Sequence, residues 1–147
     1  MPNSFSPESF EALCTRFHEE SHYKHVPLDL PTCWKTYSTA KQHPEKVFLR
    51  ELITSDGELV GLFIGSLVPI FFSTEYQAQD LIFYIQPEHR GKPWFLRTLL
   101  EFEKWAKQKG AFQVVIYSDT GIHPDKLTKL LERYSYIQSG ICFNKEL

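Results

Sequence analysis

The spacing of apolar residues changes character twice between Asp80 and Gly110. Leu81 to Ile85 reads Leu-Ile-Phe-Tyr-Ile, a run too continuous for a half-exposed strand, and predicts a buried one. Pro87 ends it, and Glu88-His89-Arg90-Gly91-Lys92-Pro93 follows as a basic turn. Phe95, Leu99, Phe102 and Ala106 then recur at helical spacing and predict one apolar stripe. Pro93 suits the first position of that helix, where a missing N–H costs nothing. Gly110 ends it, and Lys107 and Lys109 complement the negative end of its dipole. Phe112 to Tyr117 predicts a second buried strand. The unit is strand, basic turn, helix, strand.

Upstream, Ser6-Pro7-Glu8-Ser9 is a helix start, with Ser6 as cap and Pro7 first. Phe10, Leu13, Cys14 and Phe17 continue it at helical spacing towards an end near Ser21 to Tyr23. Pro27 and Pro31 make a loop, and Thr32 is expected to cap a second helix that carries Trp34, Tyr37 and Ala40 inward. Val47 to Thr54 and Leu59 to Val68 read as strands joined by a tight turn at Asp56-Gly57. Gly61 and Gly65 mark a bulge or a close backbone approach. Ile70 to Gln77 reads as the end of a long strand, preferred here, or as an exposed aromatic loop. Downstream, Ser118 to Gly121 is a turn, Asp125 to Arg133 a helix entered through His123-Pro124, and Tyr136 to Gln138 with Ile141 to Asn144 a closing hairpin. This order predicts an α/β or α+β fold with a mixed sheet, as one domain over residues 1–147.

Composition narrows the function. Of 147 residues, 42% are hydrophobic, enough for a packed core. Sixteen Lys and Arg against eighteen Asp and Glu give a net charge of -2, which argues against a general nucleic-acid binder. Cys14, Cys33 and Cys142 are scattered and odd in number, as in a reducing compartment. No apolar run would span a bilayer and no leader pattern opens the chain, so a cytoplasmic location is expected.

Two stretches carry candidate chemistry. A turn with Arg90, Gly91 and Lys92 ahead of a helix N-terminus suits a phosphate, although the same residues would serve as an ordinary solvated turn. His18-Glu19-Glu20-Ser21-His22 satisfies the His-Glu-x-x-His zinc signature, with His25 as a conceivable third ligand. It sits at a helix end with Pro27 close behind, so a solvated helix face is the preferred reading and no metal is expected.

Tyr84 to Lys92 resembles the pyrophosphate loop of the GNAT N-acetyltransferase superfamily, which reads Arg/Gln-x-x-Gly-x-Gly/Ala between a strand and a helix. Arg90 matches the first position, while Pro93 and Phe95 stand where the glycines are expected. Glu103 to Gly110 resembles the end of the family's long helix, and Leu130 to Tyr136 its late helix-to-strand passage. The resemblance spans roughly Glu45 to Leu147, in the manner of small acetyltransferases of phages and prophages. It implies a mostly antiparallel central sheet with a splayed parallel strand pair, flanked by helices. It implies acetyl-CoA as cosubstrate and direct transfer to an amine, on a protein or a small molecule. The cosubstrate would lie along Phe83, Tyr84 and Ile85, with its pyrophosphate at Arg90, Gly91, Lys92, Trp94, Phe95 and Leu96. The family's base position falls at Gln79, so the adjacent Asp80 is the candidate base. The family's acid tyrosine falls at Leu131 and its helix-start asparagine at Pro124, leaving Tyr134 or Tyr136 as candidate acid. A homodimer is compatible with the family. A coenzyme-binding or partner-binding protein with little catalysis, a zinc hydrolase using His18, Glu19 and His22, and a plain interaction module stay open as alternatives.

Overall fold

A computed structural model of the chain describes residues 4–91, 93–117 and 121–147. Helix α1, Pro7–Glu20, begins as its cap dictates: the Ser6 hydroxyl accepts from the Ser9 N–H at 3.2 Å. Helix α2, Leu30–Gln42, is capped by Asp29 rather than Thr32. The Asp29 carboxylate accepts from both the N–H (2.9 Å) and the hydroxyl (2.5 Å) of Thr32, placing Thr32 inside the first turn. Strands β1, Val47–Ile53, and β2, Leu59–Pro69, form an antiparallel hairpin closed by Gly57 at φ 81°. β2 runs antiparallel to β3, Tyr76–Ile85, and helix α3, Trp94–Gln108, leads to β4, Val114–Val115. Helix α4, Pro124–Arg133, follows.

The sheet order is β1-β2-β3-β4, with β4 parallel to β3, so the expected mixed sheet with a parallel pair is present. Alternation along β2 sorts two cores. Leu62 and Ile64 face α1 and α2 and pack with Phe10, Leu13, Tyr37 and Tyr84. Phe63 faces α3 and packs with Ala78, Phe102 and Ala106. Gly65 lies under the Phe102 ring; a Cβ there would stand 2.5 Å from that ring, which explains the glycine as a close approach. In the α1–α2 interface, burial and the neighbouring Cys33 push the Cys14 thiol up to about 12, and all three cysteines are free.

Four expectations need correction. Only Val114–Val115 of the predicted 112–117 strand joins the ladder. The closing hairpin does not form: 136–147 carries no strand, and Ile137, Ile141 and Phe143 are exposed. A two-residue β4 offers too short a ladder for a further strand to pair against. Residues 70–75 are an exposed loop tipped by Phe71 and Phe72 rather than the end of a strand. In β3, Tyr84 and Ile85 are buried but Leu81 is 67% exposed, so the strand is not buried throughout. The turn expected at Ser118 to Gly121 falls largely on 118–120, outside the described residues.

Candidate active site

The site exists because β3 changes its hydrogen-bonding side halfway along. Near its start, the Tyr76 carbonyl accepts from Phe112 and the Ala78 N–H donates to Gln113, so even-numbered residues face β4. The register with β2 then slips: Ile64 pairs with Ile82 and Gly65 with Asp80, leaving Leu81 as an extra residue. Such a bulge bends its strand and reverses which residues face each neighbour. Beyond it, Gln86 donates to Val60 of β2, so by alternation Phe83 and Ile85 turn their backbone groups away from β2. β4 has meanwhile diverged, its ladder ending at Gln79–Val115. At the fork, an Asp80 carboxylate oxygen accepts from the Tyr117 N–H at 2.8 Å.

The opening is a cavity of about 630 Å³. Asp80 to Ile85 of β3 and Ile116 and Tyr117 form its two edges, with Phe17 of α1 and Phe95 of α3 at its walls. His123, at the N-cap position of α4, and Lys126, Leu127 and Leu130 of α4 close one side, and Pro87, Arg90 and Gly91 form the turn end. Phe83 stacks on Phe95, centroids 4.4 Å apart. His123 holds a left-handed backbone, φ 45°, at the entry to α4. Gly91, at φ 83°, has no atom within 4 Å of where a Cβ would be, so its backbone is open to a ligand. Among the described residues no side chain caps α3, whose N-terminus points its dipole at this turn.

Arg90 is engaged within the protein. Its two terminal nitrogens meet the Glu20 carboxylate at 2.6 and 2.8 Å, and its Nε donates to the Ile85 carbonyl at 2.8 Å. The Tyr84 hydroxyl donates to the same carboxylate at 2.7 Å. Beside this cluster, Arg16 pairs with Glu88 at 2.5 and 3.0 Å. The Arg90 hydrogen bonds hold the Glu20 carboxyl below its usual range, against burial and with help from Tyr84. Burial and the Glu20 bond push the Tyr84 phenol up. A carboxyl whose value is lowered by folding contributes stability that is complete above its unfolded value of about 4.3, and loses it as pH falls through the folded value. The wild-type urea midpoint should therefore fall more steeply than that of Glu20→Gln between about pH 5 and 3. Parallel curves would show that this pair plays no part in acid stability.

The structure brings Asp80, Phe83, Tyr84, Ile85, Arg90, Gly91 and Phe95 to one cavity. Lys92 lies outside the described residues. Trp94 opens α3 but faces a shallow groove with Arg50 and Arg97, its ring stacked on His89. Leu96, in the same turn, is half-buried and does not line the cavity. Neither Tyr134 nor Tyr136 lines it either. Tyr134 ends α4, and the Tyr136 hydroxyl donates to Glu103 of α3 at 2.8 Å, with burial and that bond pushing its phenol up. The zinc signature loses its geometry because α1 stops at Glu20. His22 stands beyond the extended Ser21, and His18 bonds the Val26 carbonyl at 2.5 Å. Among the described residues no group of three His, Cys, Asp or Glu is placed to hold a metal. No helix among them is long and apolar enough to cross a membrane. Sequence reasoning missed His123 and Lys126 as parts of the site, and missed that Glu20 meets Arg90; that contact joins residues 70 apart, beyond the reach of local spacing.

No protein-family model matches the chain, and no curated protein does. Solved structures do. An acetyltransferase from Trypanosoma brucei superposes with a TM-score of 0.71 at 12% identity, over 97% of this chain and 96% of that one. A GNAT family acetyltransferase from Staphylococcus aureus gives 0.64 at 21%, over 97% and 95%. The fold is that of the GNAT acetyltransferases. A protein named as a transcriptional regulator from Bacillus halodurans shares it, with a TM-score of 0.75 at 14% identity over 99% and 97% of the two chains. In this chain the diverging β3–β4 pair, the turn and the first turn of α3 border one cavity.

Proposed function

We propose that the protein is an acetyl-CoA-dependent N-acetyltransferase that passes the acetyl group directly to an amine. The observation that carries this reading is the fork at Leu81. It turns the backbone of Phe83 and Ile85 into a cavity that leads to an uncapped helix N-terminus. An extended pantetheine arm would pair with the Phe83 backbone and the Ile85 N–H as an added strand does, the Ile85 carbonyl being held by Arg90 Nε. The pyrophosphate would reach the open Gly91, Lys92 and the first turn of α3 at Trp94, Phe95 and Leu96. Pro93 contributes no N–H there.

In the reaction the amine must lose a proton before it attacks the thioester carbon. Asp80, at the fork, is the one carboxylate among the described residues lining the cavity and would accept that proton, directly or through a water. The Phe83 N–H would stabilise the oxyanion that forms as the C–N bond is made. Collapse expels coenzyme A as a thiolate, which takes a proton. With Tyr134 and Tyr136 off the cavity lining, that proton is assigned to solvent at the open mouth, and positioning supplies much of the rate. Asp80→Asn keeps an oxygen for the Tyr117 N–H and removes the charge. It should lower turnover about 100-fold or more, within the range of a positioned base, while Tyr134→Phe should leave turnover near wild type. Equal turnover by Asp80→Asn and wild type would leave catalysis to proximity alone.

The test of function is release of free thiol from acetyl-CoA with a panel of amines, both small molecules and peptide N-termini. A second reading, a coenzyme-binding or partner-binding protein with little catalysis, is favoured by the absence of a tyrosine hydroxyl at the family's acid position, where Leu131 stands. It predicts coenzyme binding without thiol release.

A further inference from the structure

We propose that Glu20 is a built-in competitor of the cosubstrate's pyrophosphate for Arg90, and that this exchange couples cosubstrate binding to the end of α1. The inference rests on the coenzyme reading given above. Arg90 is the only described guanidinium lining the cavity, yet it reaches the cavity already paired, by two short bonds to one carboxylate. The pair is sheltered, with side chains 28% and 26% exposed, so its charges are screened less than a surface pair's. Bidentate guanidinium–carboxylate geometry is the same fork that binds phosphate. A pyrophosphate arriving at the turn therefore meets a neutral pair, with a carboxylate in the place its own oxygens would take. The Ile85 carbonyl keeps hold of Nε, so the guanidinium stays where it is while its terminal nitrogens change partner.

The exchange has a second consequence. Glu20 is the last residue of α1, and its carboxylate ties that helix end to Tyr84 of β3 and to the turn. Phe17, one turn earlier, lines the cavity and packs on Tyr84 with centroids 4.8 Å apart. Once phosphate takes Arg90, the helix end keeps only the Tyr84 hydroxyl of this network. The helix that carries Phe17 thus loses one of its ties to the turn when cosubstrate binds, while the Arg16–Glu88 pair stays in place.

The experiment measures coenzyme A affinity by calorimetry for wild type, Glu20→Gln, Arg90→Ala and the double variant. Gln keeps an acceptor for Tyr84 and loses the charge. Glu20→Gln should bind coenzyme A about tenfold more tightly, as expected when a charged competitor is removed. The gain should vanish in the Arg90→Ala background. In the wild type, the Glu20 carboxyl carbon resonance should shift as coenzyme A saturates the site. This readout does not depend on any variant folding. An unchanged or weaker affinity in folded Glu20→Gln, an equal gain without Arg90, or an unmoved Glu20 resonance would overturn the exchange while leaving coenzyme binding intact. Absence of binding to wild type and variant alike would instead withdraw the coenzyme reading, and this inference with it.

Discussion

Phe102→Ala should destabilise the protein by about 3–5 kcal/mol, the usual cost of deleting a fully buried aromatic ring. Phe102 has no exposed surface, and its ring centroid lies 4.7 Å from Phe63, 5.2 Å from Phe48 and 5.8 Å from Trp105. The chain has already made room for it by placing Gly65 beneath. With the ring removed, β2 has no side chain at Gly65 to fill the space, so the cavity persists and its full cost is felt. Because the lost contacts hold α3 against the sheet, the turn at its N-terminus loosens with them. Urea unfolding followed by tryptophan fluorescence measures the change, and a loss below about 1 kcal/mol would mean that the site collapses around the deletion.

Filling the fork should have the largest effect on ligand binding. Leu127 of α4 is half-buried and faces the cavity with Leu130. Leu127→Trp places an indole where the cosubstrate arm is assigned, and coenzyme A binding should weaken at least about tenfold, or 1.4 kcal/mol. Stability should change little, because α4 has no buried residue and the cavity can take the larger side chain. Unchanged affinity in the folded variant would place the arm elsewhere.

What the sequence revealed and what it concealed divide along the range of the interactions. Ser6-Pro7 and the stripe from Phe95 to Ala106 act within one or two helical turns, and both helices lie where these signals put them. Asp29 and Thr32 are both good caps by residue type, and only the geometry shows the Asp29 carboxylate taking both Thr32 donors. The fork was foreseen only through family resemblance. Leu81 sits in an unbroken apolar run, where an extra residue leaves no break in the pattern, so the bulge and its reversal of sides were illegible. The tail failed in the opposite way. Ile137, Ile141 and Phe143 alternate as a strand would, but alternation predicts a strand only where a sheet edge is long enough to receive it. Arg90 was legible as a cation at a turn. That its charge is already answered by Glu20 depends on the packing of α1 against the end of β3, which no local pattern encodes.

The central claim is that the fork between β3 and β4 receives coenzyme A. Calorimetric titration of the wild-type protein with acetyl-CoA tests it most directly. Saturable binding of one molecule per chain, weakened by Leu127→Trp, is the predicted result; no saturable binding at millimolar acetyl-CoA would contradict it.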